Sequence, residues 1–515
     1  MLLADLVATS AAVAATRSRL EKRRLLAAAL TAADPGEVEV VASYLSGRIR
    51  QRRTGVGWRT LGALPPPAAT PSLTPAEVDA ALGHMASLAG PGSQEARATA
   101  VAGLFGRATA HEQQLLRGLI SGELRQGALD SLLLDAIAEA ADVPLAAVRR
   151  AAMFSALSGP IAAAALQGGA TALAGFRLEV GRPVRPMLAS SAPDVAAALA
   201  ALTGLAGTDG AAVAVDGKID GIRVQVHKAG DDVVVFTRSL DDITERVPEI
   251  VDVVRGLGVG SAVLDGEAIA LGPDGRPRPF QETGSRAMST TADGLRGSVP
   301  LTTYFFDALH LEGRDLIDAP AAERFAGLAG AVPGESLVPR LVTTYPDAVH
   351  RFFAEMLARG HEGVVVKDLA APYDAGRRGS AWVKVKPRHT LDLVVLAVEW
   401  GSGRREGWLS NIHLGARDGD GFVMLGKTFK GMTDEMLAWQ TARFLELATG
   451  RHGYVVEVRP EQVVEIAFDG VQRSSRYPGG MALRFARVLR YRDDKTADEA
   501  DTLATVRAIT GLVDP

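Results

Sequence analysis

Apolar residues recur at three- and four-residue spacing through the first third of the chain. Leu115, Leu116 and Leu119 form one such stripe, and Leu132, Leu133, Leu134 and Ile137 another. That period puts side chains on one helix face. Thr74-Pro75-Ala76-Glu77 spells a capping box with proline at the first helical position, and Asp142-Val143-Pro144 marks a further start. Leu64-Pro65-Pro66-Pro67 and Gly90-Pro91-Gly92-Ser93 break the pattern between helical units. Residues 1–181 are therefore expected to form an all-α domain. No internal repeat of fixed period is visible.

The texture changes near Arg182. Short β-type runs follow: Ala212–Val215, Arg223–His227, Val233–Thr237, Ala262–Leu264, Leu301–Phe306, Val364–Lys367 and Trp382–Val385. Helical stretches at Ala192–Leu202 and Asp347–Arg359 separate some of them. This irregular mixture predicts an α+β domain over 182–388, without the alternation of a doubly wound sheet. After Pro387, strands are expected at Asp392–Glu399, Ile412–Ala416, Gly421–Leu425 and Val463–Ala467, with one helix from about Asp434 to Ala448. About five strands and one helix predict a small β-barrel of the OB type over 389–515.

The chain has 515 residues, 47% hydrophobic and 23% charged, as expected of a globular protein of three or four domains. It has no cysteine. Disulfides, thiolate nucleophiles, cysteine-ligated zinc and iron–sulfur clusters are thereby excluded. No apolar run reaches 18 residues, and Asp5 interrupts the N-terminal one, so neither a membrane span nor a signal peptide is expected. A cytoplasmic protein fits this pattern. The net charge of −4 hides an uneven distribution: +4 over 1–185, −6 over 186–390 and −2 over 391–515. By itself the basic first third is weak evidence for nucleic acid and reads first as a solvated helical surface.

The sharpest chemical signal is Lys218-Ile219-Asp220-Gly221-Ile222-Arg223, between two expected strands. A lysine whose pKa is pulled down by burial and nearby cations becomes an amine nucleophile, and an arginine beside it can grip phosphate. Alone, the hexamer reads equally well as an ordinary hairpin. Its company decides between the two readings. Downstream stand Phe236-Thr237-Arg238, Leu264-Asp265-Gly266-Glu267, Tyr304-Phe305-Phe306-Asp307, Glu362-Gly363-Val364-Val365-Val366-Lys367, Trp382-Val383-Lys384-Val385-Lys386 and Arg492-Asp493-Asp494-Lys495.

In order and spacing this set resembles the nucleotidyltransferase motifs of ATP-dependent DNA ligases. Ile120–Gly127 and Gly181–Leu188 resemble the helical DNA-binding part of the same family, and the whole resembles its three-domain, ligase B-like actinobacterial form. The resemblance implies three domains: helical DNA-binding (1–181), adenylation or nucleotidyltransferase (182–388) and OB-fold (389–515). It implies that Lys218 attacks the α-phosphate of ATP and carries AMP. Asp216, where the family usually has Glu, would contact the adenine amino group. Arg223 and Arg238 would lie on the ribose and phosphate side. Glu267 would bind ribose or metal, Phe306 would stack on adenine, and Glu362 would hold metal. Lys367, Lys384 and Lys386 would bind phosphate, and Arg492 and Lys495 would orient pyrophosphate. The implied metal is Mg²⁺, with Mn²⁺ as a substitute.

The expected activity is sealing of nicks in duplex DNA by a monomer that encircles it, in replication, repair or recombination. A basic, aromatic-interleaved segment, Arg484–Arg492, preceded by Arg473 and Arg476, is expected to track a phosphate backbone. Arg52, Arg53, Arg125 and the turn Thr54-Gly55-Val56-Gly57 are further candidates for DNA phosphates. A hinge is expected near Lys386–Asp392. An RNA ligase or GTP-using capping enzyme shares the lysine motif, but the helical first third and Arg492–Lys495 argue against it. An NAD⁺-dependent ligase is disfavoured by the missing cysteines. A non-catalytic nick-binding protein would not need the full set of cations around Lys218.

Overall fold

The computed structural model describes residues 1–51, 54–124, 126, 130–206, 211–288, 299–376 and 378–510. Among them, the first third contains only helices, from Leu3–Ala15 to Gly159–Leu173. Both helix starts are as read. Thr74 accepts from the Glu77 amide while the Glu77 side chain accepts from the Thr74 amide, and the helix Leu145–Met153 begins directly after Pro144. The apolar stripes meet in one core that includes Leu116, Leu119, Leu133 and Ile137. No described helix is long and apolar enough to cross a membrane.

Among its described residues the middle third holds two five-stranded sheets. The first has the order β1 (Leu188–Ala192), β10 (Arg378–Val385), β9 (Gly363–Asp368), β2 (Val213–Lys218), β8 (Arg340–Thr343). The second runs β4 (Asp232–Thr237), β3 (Ile222–Ala229), β5 (Ser261–Ala270), β6 (Leu301–Leu311), β7 (Arg314–Asp315). Helices Val195–Ala206 and Pro346–Ala358 cover the first sheet through Val195, Ala198, Val349 and Met356. Helices Pro248–Arg255 and Ala321–Ala331 cover the second through Ile250, Val254 and Leu328. β2 runs longer than its β-type run in the sequence because its added end, Asp216-Gly217-Lys218, carries two charged residues that line a cleft between the sheets. Lys218 ends β2, and Arg223 lies at the start of β3.

Gly221, in the turn between those strands, has a structural reason. A Cβ there would sit 2.3 Å from the Ala268 carbonyl oxygen, so only glycine lets β3 begin this close to β5. Gly363, at φ +145°, plays the same part beside Val385, whose carbonyl oxygen would lie 2.1 Å from an added Cβ.

The last third is β-rich. β11 (His389–Trp400) is a long strand that pairs with β16 (Val463–Phe468) along its first half and with β15 (Val455–Val458) along its second. It also pairs with β12 (Leu409–Asp418), which pairs with β13 (Gly421–Thr428). β16 continues to β19 (Arg487–Tyr491). The ladder β13-β12-β11-β16-β19 is not closed by strand pairing. Between its ends the Val488 amide donates to the Lys430 carbonyl at 2.9 Å, and the Thr428 hydroxyl donates to the Ala486 carbonyl at 2.5 Å. The expected helix is present as Asp434–Glu446. The strands β14 (Ala448–His452), β15, β17 (Gly470–Arg473) and β18 (Met481–Arg484) were not anticipated from the sequence. They are short, and the first is mostly exposed, so no apolar alternation marks it.

Candidate active site

Strand-end polar groups from both sheets and one face of the last third enclose a cleft of about 780 Å³. Ten of the twelve expected site residues line it: Asp216, Lys218, Arg223, Arg238, Glu267, Phe306, Glu362, Lys367, Lys384 and Lys386. Arg492 and Lys495 do not line it. Arg52, Arg53, Arg125 and Gly127 lie outside the described residues.

The Lys218 side chain is 22% exposed, and its ammonium is ion-paired with Glu362. The pairing follows from strand register. Lys218 is opposite Gly363, and the Glu362 amide donates to the Lys218 carbonyl at 2.9 Å. Glu362 is also paired with Lys386, whose ammonium lies 3.6 Å from Asp469. Burial alone would raise the Glu362 carboxyl, but Lys218 and Lys386 together hold it below its ordinary value.

A second cluster lies on the floor of the cleft. Asp216 accepts from Arg340 at 2.5 and 2.8 Å and pairs with Lys367 at 2.6 Å. Asp216 and Lys367 are each 2% exposed. Burial would raise the Asp216 carboxyl, and the two cations reverse that. The Lys367 ammonium sits 4.2 Å from the Trp382 ring centroid and 4.7 Å from that of Phe306, a cation–π cage that offsets lost hydration. Phe306 and Trp382 meet edge to face at 5.9 Å. Phe306 lines the cleft with Trp382, Lys367 and Arg223 fixed around its ring.

Arg223 is similarly committed. It donates to Asp265 at 3.0 and 2.6 Å, to the Met187 carbonyl at 2.5 Å and to the Tyr373 hydroxyl at 3.1 Å. Tyr373 donates in turn to Asp265 at 2.6 Å and accepts from the Met187 amide. Glu267, across from Arg223 in the β3–β5 register, is pushed up to about 7 by burial, against the pull of Lys218 and Arg223. Arg238 is exposed at the end of β4.

The last third contributes Lys430, Asp469, Arg484, Phe485 and Arg487 to the cleft. Arg484 donates to Asp220 at 2.7 Å and lies over the Phe280 ring at 5.4 Å. Phe485, at φ +55°, is 56% exposed. The basic segment Arg484–Arg492 is thus divided. Arg484 and Arg487 face the cleft, whereas Arg490 pairs with Glu465 at 2.6 Å and Arg492 with Asp392 at 2.9 Å.

The sequence did not single out Phe280, which lines the cleft, nor Arg340 and Tyr373, which hold the cleft residues Asp216 and Arg223 from behind; Arg484, read as part of a DNA-tracking segment, faces the cleft. Arg340 has no local signal, because its partner Asp216 is 124 positions away. Asp265 lay within the quoted Leu264–Glu267 run; strand alternation puts it on the face opposite its neighbours Leu264 and Gly266.

Among the described residues no group of three or more His, Asp or Glu side chains forms a metal cage. Mg²⁺ at phosphoryl-transfer sites is usually held by one or two carboxylates plus substrate phosphates and water. Glu267 and Glu362 fit that donor set. Both line the cleft, and both lie within electrostatic reach of Lys218.

Comparison with known proteins gives a consistent result. Residues 186–386 match the ATP dependent DNA ligase domain, 405–495 the ATP dependent DNA ligase C terminal region and 59–138 the DNA ligase N terminus. A "Probable DNA ligase" of Beutenbergia cavernae is 65% identical over 518 residues, spanning 99% of this chain and 100% of that one. Another from Nocardioides sp. is 64% identical, spanning 99% of each. The solved structure described as "Pmar-Lig_PreS3" covers 95% of this chain and 99% of its own at a TM-score of 0.62, with 16% identity, a likeness of fold.

Proposed function

The chain belongs to the ATP-dependent DNA ligase family and is a DNA ligase; on that premise we propose that it seals single-strand nicks in duplex DNA through a lysyl-AMP intermediate on Lys218. The observation that carries this reading is the cleft itself. It brings Lys218 together with Lys384, Lys386, Arg238 and two acids beside a half-buried aromatic ring.

Three steps follow. The Lys218 ammonium first loses a proton, and Glu362 is the carboxylate in contact with it. The freed amine attacks the α-phosphorus of ATP, the bond to the β-phosphate oxygen breaks, and pyrophosphate leaves with the electron pair. The 5′-phosphate of the nick then attacks the same phosphorus, breaks the P–N bond and takes AMP. Finally the 3′-hydroxyl loses its proton, attacks the activated 5′-phosphate, and AMP leaves. Such transfers depend on in-line positioning and on cations set where charge collects. Lys384 and Lys386 supply those cations, Phe306 supplies a stacking face for adenine, and Asp216 stands at the adenine end. Arg223 orders the ribose side. Glu267 and Glu362 would hold Mg²⁺, which shields phosphate charge.

The division into three domains at 1–181, 182–388 and 389–515 accompanies this reading. So does an OB-type barrel for the last domain, supported by the β13-β12-β11-β16-β19 path. The protein acts as a monomer wrapped around the duplex.

Incubation with α-labelled ATP or GTP tests the proposal. Label from ATP is expected on the protein, released as AMP when nicked DNA is added and sealed. Exclusive labelling by GTP, or labelling without sealing, would favour a capping-type or RNA-joining enzyme.

A further inference from the structure

Arg492 and Lys495 lie outside the cleft, and a single acid holds both. Asp392 accepts from Arg492 Nη1 at 3.2 and 2.9 Å and from Lys495 Nζ at 2.7 Å. The opposite edge of the guanidinium, Nε and Nη2, donates to Asp494 at 2.8 and 2.7 Å. The two acids differ in setting. The Asp392 side chain is 12% exposed, and that of Asp494 63%. Asp392 is also fixed through its backbone. Its amide donates to Asp501 Oδ2 at 2.8 Å, and the Asp501 amide donates to the Asp392 carbonyl at 2.8 Å. The Arg492 amide is tied to the Val463 carbonyl at 2.9 Å.

Position in the chain gives this geometry a consequence. Asp392 lies on β11, six residues after Lys386, the last cleft lysine before the chain enters the final third. Any rotation of that third about the connector carries Asp392, Arg492 and Lys495 together. Two long, flexible cations would otherwise have to be ordered one at a time at the moment of reaction, and holding them in advance removes that entropic cost.

We infer that Asp392 is a positioning residue for lysine adenylylation: it holds Arg492 and Lys495 as one preformed pair, so that they meet the departing pyrophosphate in register. The exposed Asp494 edge of Arg492 is the one that phosphate oxygens replace, while Asp392 stays as the support. This rests on the reading of Arg492 and Lys495 as pyrophosphate-side cations.

The test uses the full-length enzyme and separates two reactions. One is lysyl-AMP formation from ATP. The other is joining of a nick whose 5′ end already carries AMP, which bypasses pyrophosphate chemistry. Asp392→Asn is expected to lower kcat for lysyl-AMP formation about tenfold or more, with KM for ATP within about threefold. Joining of the pre-adenylated nick should stay within about twofold, and this also shows that the variant is folded. Asp392→Glu should recover part of the lost rate. Unchanged adenylylation in Asp392→Asn, a KM effect alone, or an equal fall in both reactions would overturn the inference. Arg492→Ala is the control for the underlying reading. If it forms lysyl-AMP at the wild-type rate, the pyrophosphate-side assignment fails whatever Asp392→Asn does.

Discussion

Arg340 grips Asp216 with both arms of its guanidinium, at 2.5 and 2.8 Å, from across the β2–β8 register. The same guanidinium donates to the Phe306 carbonyl at 2.7 Å. One arginine thus fixes both Asp216, the acid proposed for the adenine end, and the strand that carries Phe306, the ring proposed to stack. Arg340→Ala would leave Asp216 buried with Lys367 alone. Losing one partner of a buried pair costs about 3 kcal/mol. A lowered melting temperature and a several-fold higher KM for ATP are expected. Arg340→Lys should rescue neither, because an ammonium cannot reproduce the bidentate contact. Wild-type KM in Arg340→Ala would contradict this.

Glu362 compensates Lys218 and Lys386 together. Glu362→Gln removes that charge and one of the two acids proposed to hold Mg²⁺. Loss of one preorganised electrostatic group at a reacting phosphate typically costs about 10²-fold in rate. Lysyl-AMP formation should fall by that order, and raising the Mg²⁺ concentration should recover only part of it. Full recovery at high Mg²⁺ would leave Glu362 no role beyond metal affinity.

Glu267 gives a pH signature with a definite sign. Burial pushes its carboxyl from an ordinary 4.5 up to about 7. Between those values the unfolded chain is ionised at this position while the folded one keeps its proton. The group's contribution is therefore intact below about 4.5 and is lost as pH rises through about 7. The wild type should lose on the order of 2 kcal/mol across that window relative to Glu267→Gln, whose neutral amide does not titrate. Parallel stability profiles for the two proteins would refute the assignment.

Tyr373 makes a separate stability prediction. Its hydroxyl joins Asp265, Arg223 and the Met187 amide, all in a buried setting. Tyr373→Phe leaves that amide without its acceptor and Asp265 without one donor, a loss of about 1–3 kcal/mol. Denaturant unfolding measures it, and a change below about 0.5 kcal/mol would show that water replaces the hydroxyl.

The parts of this molecule that were legible in the sequence are those whose meaning is local. The Thr74–Glu77 box, the Lys218–Arg223 hexamer and the Lys384/Lys386 alternation each state their geometry within a few residues. Ten of the expected site residues therefore converge on one cleft. What could not be read is pairing across distance. Arg340 with Asp216 and Asp392 with Arg492 are separated by 124 and 100 positions. The segment Arg484–Arg492 read as one basic face. Strand alternation and the left-handed residue Phe485 send its arginines to different partners. The short hairpins of the last third were missed because their strands are only four or five residues long and one strand of each, Ala448–His452 and Gly470–Arg473, has no buried residue to mark an apolar period.

The most direct measurement of the central claim compares wild type with Lys218→Ala on a nicked duplex in ATP and Mg²⁺, and again on a duplex whose 5′ end already carries AMP. The wild type should seal both. Lys218→Ala should form no covalent AMP adduct and leave the ordinary nick open, while still joining the pre-adenylated one to a measurable extent. An AMP adduct of normal yield in Lys218→Ala would contradict the assignment of Lys218 as the nucleophile.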